Sequence, residues 1–215
     1  MADKSFWTDK KDKTWLKNFW YYYRIHVIVG IIAIIILGFT IHDCATRIDP
    51  DISADYIGRL SFSDDKIEAF KQYFAPMIND ADGKSGCNVG FVQHTVVDTE
   101  KGGDAQMAMA ISQAIMIEMS VGESYLYFIG DEYIKQFEDS EILCDISDLT
   151  GGEKGTHYVD VSKNKLFCKL FGEYDIPVYM CVREITGSVN KKNLPKAQIM
   201  QDNAKVIFSK FLKEN

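Results

Sequence analysis

The sequence predicts an α/β protein: a single lobe built on one open, mostly parallel sheet with helices on both faces, preceded by one transmembrane helix. Three observations carry this. Residues 25–42 contain no Asp, Glu, Lys or Arg. Beyond them, short runs rich in β-branched and aromatic residues alternate with longer stretches whose apolar residues recur every three to four positions. About 170 residues follow the apolar run, which suits one domain with a real core and crowds two.

The first element is "WYYYRIHVIVGIIAIIILGFTIHDC", residues 20–44. Twelve of the 18 residues from Ile25 to His42 are Ile, Val, Leu or Phe, and as a helix they extend roughly 27 Å, close to a hydrocarbon thickness. The apolar residues go all the way round, unlike the stripe of a soluble helix. The run is longer than a usual signal-peptide core and no A-x-A site follows it, so an uncleaved anchor is expected. His42 and Asp43 before Cys44 argue against lipidation. Residues 1–24 hold six Lys and Arg against three Asp, a net +3, while Asp43, Asp49 and Asp51 follow the span. The positive-inside rule therefore places the N-terminus in the cytoplasm and the C-terminal domain outside. The expected organisation is a basic, aromatic leader (1–24), the span (25–42), a polar linker (43–53) broken by Pro50, and an extracytoplasmic domain (54–215).

Within that domain, residues 54–62 read as a strand. Residues 63–78 read as a helix with Ser63 as N-cap and Ile67, Phe70, Phe74 and Met77 on one face. A second strand spans 87–97. A long helix spans 104–121, with Asp104 as cap and Met107, Ile111, Ala114, Ile115 and Met119 as its stripe. "SYLYFIG" (124–130) reads as a short buried strand, followed by a helix from Asp131 to Phe137. A later strand covers 176–185, and the closing helix covers 197–213 with Ile199, Ala204, Ile207, Phe208 and Phe211 inward. The β-α order implies helices on both faces of a mainly parallel sheet.

Charge narrows the partners. The chain carries −7 and the leader +3, so the remainder carries −10. That argues against nucleic acid or an anionic surface and is compatible with cationic ligands. Catalytic signatures are missing: no G-x-S-x-G, H-E-x-x-H, P-loop or G-x-G-x-x-G occurs. "DADG" (80–83) does not fit a calcium-loop register, and no C-x-x-C points to zinc. Met107, Met109, Met116 and Met119 suit a core better than a copper site. His94 and His157 have no evident partner in sequence. No cofactor, metal or catalytic residue is expected. A reversal at "GEYD" (172–175) would set Cys168 opposite Cys181 in a hairpin.

One constellation stands out by position. "YLYFIGDEYIKQF" runs a buried strand straight into Asp131, Glu132 and Tyr133. In open α/β sheets ligands bind beyond the carboxyl ends of strands, which makes these three the candidate ligand-binding residues. The alternative is that the acids only complement a helix dipole.

Residues 106–149, ending in "LCDISDL" (Leu143, Asp145, Ile146, Ser147, Asp148 and Leu149), resemble the first lobe of extracellular solute-binding proteins of bacterial ABC importers. "YVDVS" (158–162), "IPVYMCV" (176–182) and "AKVIFSKFL" (204–212) resemble that family's return strand, a central parallel strand and its closing helix. The approach to the membrane, "FWYYYRIH", resembles that of small signal-anchored proteins of Gram-positive bacteria. The resemblance implies a periplasmic-binding-protein-like lobe and a non-enzymatic binding or interaction module associated with transport. The domain is about half the family's size, so one lobe would have no hinge closure over a ligand. A purely protein-interacting subunit of a cell-envelope complex, without a small ligand, is the alternative.

Overall fold

Lys10–Thr46 forms one continuous helix, α1, of 37 residues in the computed structural model, which describes residues 10–46, 49–81, 83, 86–96, 105–121, 124–137, 142–185 and 189–214. Phe19–His42 within it is 24 residues long with a mean hydropathy of 2.5, enough in length and composition to cross a membrane. The chain divides into two compact units, Met1–Ile48 and Asp49–Asn215.

The second unit contains β1 (Ile52–Gly58), α2 (Asp64–Phe74), a 3-10 turn (Ala75–Met77), β2 (Val89–Thr95), α3 (Ala105–Val121), β3 (Leu126–Gly130) and α4 (Asp131–Phe137). There follow α5 (Ser147–Thr150), β4 (Tyr158–Asp160), α6 (Lys165–Phe171), β5 (Val178–Val182) and α7 (Leu194–Lys213). Asp104, the expected cap of α3, and the side chains of Met107 and Ile111 lie outside the described residues. Ser63 occupies the N-cap of α2 in an extended conformation without a side-chain cap bond. Residues 49–53, read from sequence as linker, belong to the folded unit. Asp51 is buried, and its carboxylate accepts from Ala81 N (2.6 Å) and Asn88 N (2.8 Å) where β1 begins.

The five strands form one sheet in the order β2-β1-β3-β5-β4. β1 pairs in parallel with β2 and β3, whereas β5 pairs antiparallel with both β3 and β4. The sheet is mixed: four strands share a direction and β5 alone is reversed. The sequence expectation of a mostly parallel sheet needs that correction, as does the reading of 176–182 as a central parallel strand. The reason lies in the β4–β5 connection. Val161 N donates to Val178 O at 2.8 Å, so β5 starts beside the end of β4. Two turns of helix, α6, fill the excursion instead of carrying the chain back along the sheet, as a parallel crossover requires.

The expected hairpin around residues 174 and 175 is also overturned. "KLFCKLF" is α6, whose N-cap Asn164 accepts from Leu166 N and Phe167 N. Cys181 instead faces Tyr158 across the β4–β5 ladder. Leu166, Phe167, Leu170 and Phe171 of α6 pack in the core on one side of the sheet, whereas Cys181 packs in the other. Among the described residues Cys87, Cys144, Cys168 and Cys181 are free thiols.

Side chains alternate along each strand, so the sheet has two different faces. One, under α2, α6 and α7, is aromatic. Phe62, Phe70, Phe91, Phe128 and Phe171 meet ring to ring at 4.5–6.4 Å. Geometry of this kind adds about 0.5–1.5 kcal/mol per pair beyond burial. The second face carries Ile57, Tyr127, Ile129 and Cys181, and packs against Ile115 and Met119 of α3 and Ile134 and Phe137 of α4.

Candidate functional site

β1 and β3 lie side by side and in parallel, so their carboxyl ends coincide. Ile57 is level with Ile129, and each strand ends in the next residue, Gly58 or Gly130. A Cβ on Gly58 would collide with the Tyr56 hydroxyl, and one on Gly130 would lie 2.8 Å from Glu132 Oε2. The two glycines therefore leave room for a phenol and a carboxylate at the strand ends. The Tyr56 hydroxyl accepts from Leu60 N at 2.8 Å, which fixes the turn after β1.

α4 begins at once after β3, and it positions all three residues singled out from sequence. Asp131 is exposed at its first position. Tyr133 is half-buried and packs against the core beneath α4. Glu132 turns back over Gly130. Its side chain is 15% exposed, and both carboxylate oxygens are enclosed without a hydrogen-bond partner. Arg59, 49% exposed, brings Nε to 3.5 Å from Glu132 Oε1. Burial, with Asp131 next to it, pushes the Glu132 carboxyl above its ordinary value, and Arg59 pulls the other way. Burial also raises the Tyr133 phenol, with Glu132 adding to the effect. An ionised carboxylate only accepts hydrogen bonds, so this one suits a cationic donor.

Other features read from sequence have structural work. Asp145 of "LCDISDL" accepts from Ser147 N (2.9 Å) and Gly155 N (3.2 Å). It closes the turn around α5, and the Ser147 side chain together with those two backbone bonds holds its carboxyl below the usual range. Gly151 ends α5 in the left-handed region at φ 66°. His157 Nδ1 lies 3.0 Å from Cys144 O. Burial pushes the Cys144 thiol up to about 12, which keeps it an inert thiol at neutral pH. Met119 is buried while Met109 and Met116 face solvent. Among the described residues no group of three or more His, Cys, Asp or Glu could hold a metal.

A second polar cluster escaped the sequence reading. Asp55, in the middle of β1, is 1% exposed and on the face under α3. Ser124 Oγ donates to its Oδ1 at 2.7 Å, and Oδ2 lies 3.9 Å from His94 Nε2. Arg183, also buried, donates from Nη1 to Ser124 O at 3.4 Å and stacks its guanidinium 5.4 Å from the Tyr125 ring. One signal was available: an acid between Ala54 and Tyr56, inside a strand with no exposed side to receive it.

Comparison with protein-family models, with curated proteins and with solved structures gave no match. Two described surface cavities lie away from Glu132. One of about 330 Å³ is lined by Met77, Lys205, Val206, Ser209, Lys210 and Lys213. The other, of about 420 Å³, is lined by Lys163, Cys168, Glu173 and Asp175.

Proposed function

We propose that this chain is a membrane-tethered, non-enzymatic binding module, with its N-terminus in the cytoplasm and its α/β domain outside, whose ligand edge lies at the carboxyl ends of β1 and β3. One observation carries the reading: the Glu132 carboxylate is largely enclosed, lacks a hydrogen-bond donor and is covered by a half-exposed guanidinium. A long exposed side chain such as Arg59 moves aside at small cost, whereas an enclosed anion gains from any well-placed cation. The ligand class is therefore an amine or guanidine, in line with the acidic domain and with the resemblance to solute-binding lobes. Asp131 supplies further negative charge, and Tyr133 an aromatic rim.

The test is thermal unfolding of the full chain in detergent with a panel of monoamines, polyamines and basic amino acids. A ligand at a hundredfold its Kd stabilises by about 2.7 kcal/mol, or roughly 5–10 °C at this domain size. At least one panel member should shift the wild type and leave Glu132→Gln unmoved. Equal shifts in both proteins, or none in either, would overturn the reading.

A second reading has its own support. Met109, Met116 and Ile117 project from α3 with 65%, 53% and 63% of their surfaces exposed. Three large apolar residues on one helix favour a protein-interacting subunit of an envelope complex. Loss of a native-membrane partner in Met116→Lys/Ile117→Lys, with the amine response intact, would favour that alternative.

A further inference from the structure

The cluster under α3 has a feature that stability alone does not require. Asp55 Oδ2 and His94 Nε2 face each other at 3.9 Å, and both are enclosed without a hydrogen-bond partner. The neighbouring Tyr127 hydroxyl is also enclosed, beside Arg183. The groups that face Asp55 come from every element around it. His94 is contributed by β2 and Tyr127 by β3, with Ser124 just before it; Arg183 follows β5, and Glu118 of α3 acts on Asp55 by its charge. Cys181 of β5 lies on the same face, and α4 adds Ile134 and Phe137. The roof is α3 itself, seated by Ile115 and Met119. Glu118, on that roof, carries the same sign as an ionised Asp55.

We propose that Asp55 and His94 form a proton-operated latch that holds α3 down on the sheet when Asp55 is protonated and releases it when Asp55 ionises. A neutral carboxyl is tolerated in this enclosure with Ser124 as its donor. An anion there has one unsolvated oxygen and is repelled by Glu118, so lifting α3 both admits water and separates the like charges. Burial, reinforced by Glu118, raises the Asp55 carboxyl to about 7, with Ser124, Ser53 and Arg183 opposing. The proton thus leaves near neutral pH, where a modest change of acidity shifts the two populations. His94 Nε2 is the polar atom that faces the unsolvated Oδ2 at 3.9 Å, so removing the ring should enlarge the release. Release would uncover the apolar face formed by Ile57, Ile129 and Cys181, a surface distinct from the Glu132 edge.

The experiment is hydrogen exchange of the full chain in lipid nanodiscs at pH 5.5 to 8.5, corrected for intrinsic exchange and read peptide by peptide. In the wild type, protection of α3 should fall about tenfold between pH 6 and 8, while α6 and α7 on the opposite face stay constant. Asp55→Asn, which mimics the neutral acid, should abolish the fall and keep α3 protected. Glu118→Gln, at a half-buried position where folding is not at risk, should shrink the fall, and His94→Gln should enlarge it. Flat protection of α3 in the wild type overturns the latch. So does an equal fall in all helices, or a fall of unchanged size in Glu118→Gln.

Discussion

Replacing Asp55 by Asn should stabilise the protein, and by an amount that depends on pH. The carboxyl is raised from 3.8 to about 7, chiefly by burial. Between those values the folded chain keeps a proton that the unfolded chain has released. Stability therefore falls as pH rises through this window and levels off above it. About three pKa units at 1.36 kcal/mol each give a penalty of roughly 4 kcal/mol above pH 7. Asn keeps the acceptor for Ser124 Oγ and has no charge to desolvate. The assay is chemical unfolding of the full chain in detergent micelles, followed by tyrosine fluorescence at pH 4 to 8. Asp55→Asn should exceed the wild type by about 2–4 kcal/mol at pH 8 and match it within about 1 kcal/mol at pH 4. A difference independent of pH, or an Asn variant weaker than wild type at pH 8, would refute the linkage.

Three further outcomes are expected. Gly130→Ala puts a methyl group 2.8 Å from Glu132 Oε2, the free end of a flexible side chain, so it should displace the carboxylate and abolish any amine response while unfolding measurements change by less than about 1 kcal/mol. Phe171→Ala opens the aromatic face, where this ring is buried among Phe62, Phe70, Phe91, Phe128 and Phe167, and should cost about 3–5 kcal/mol in the same assay. Engineered cysteines after residue 50 should react with a membrane-impermeant thiol reagent on intact cells and those before residue 20 should not, following the positive-inside rule.

Elements with strong periodicity were legible in the sequence. The strands at 126–130 and 178–182 fall inside the stretches read from apolar pattern alone, and α7 starts at Leu194, just ahead of the 197–213 read for it. Direction was not legible. Nothing in "IPVYMCVREI" distinguishes a reversed strand from a parallel one, because both are buried on two faces and both read as continuous apolar runs. α6 was missed for a related reason. Seven residues are too few to establish a helical period, although Leu166, Phe167, Leu170 and Phe171 already have helical spacing. Asn164, three residues before Phe167, was the local signal of a cap. At the candidate site the sequence placed Asp131, Glu132 and Tyr133 at a strand end. It did not reveal that Glu132 folds back over Gly130 or that Arg59, 73 positions earlier, comes to meet it. Those contacts depend on β1 and β3 being neighbours, a long-range pairing without local signature. The Asp55–His94 approach depends likewise on the register of β1 with β2.

The central claim, that the enclosed Glu132 carboxylate exchanges Arg59 for a cationic ligand, is tested most directly by the carboxyl carbon resonance of Glu132 itself. Followed by NMR through a pH titration of the full chain, it should titrate above the ordinary glutamate range when the protein is free, as its burial requires. Adding the amine that shifts thermal unfolding should lower that midpoint by a unit or more, because a bound cation favours the ionised form. A Glu132 midpoint in the ordinary range, or one that stays put under saturating amine, would contradict the account.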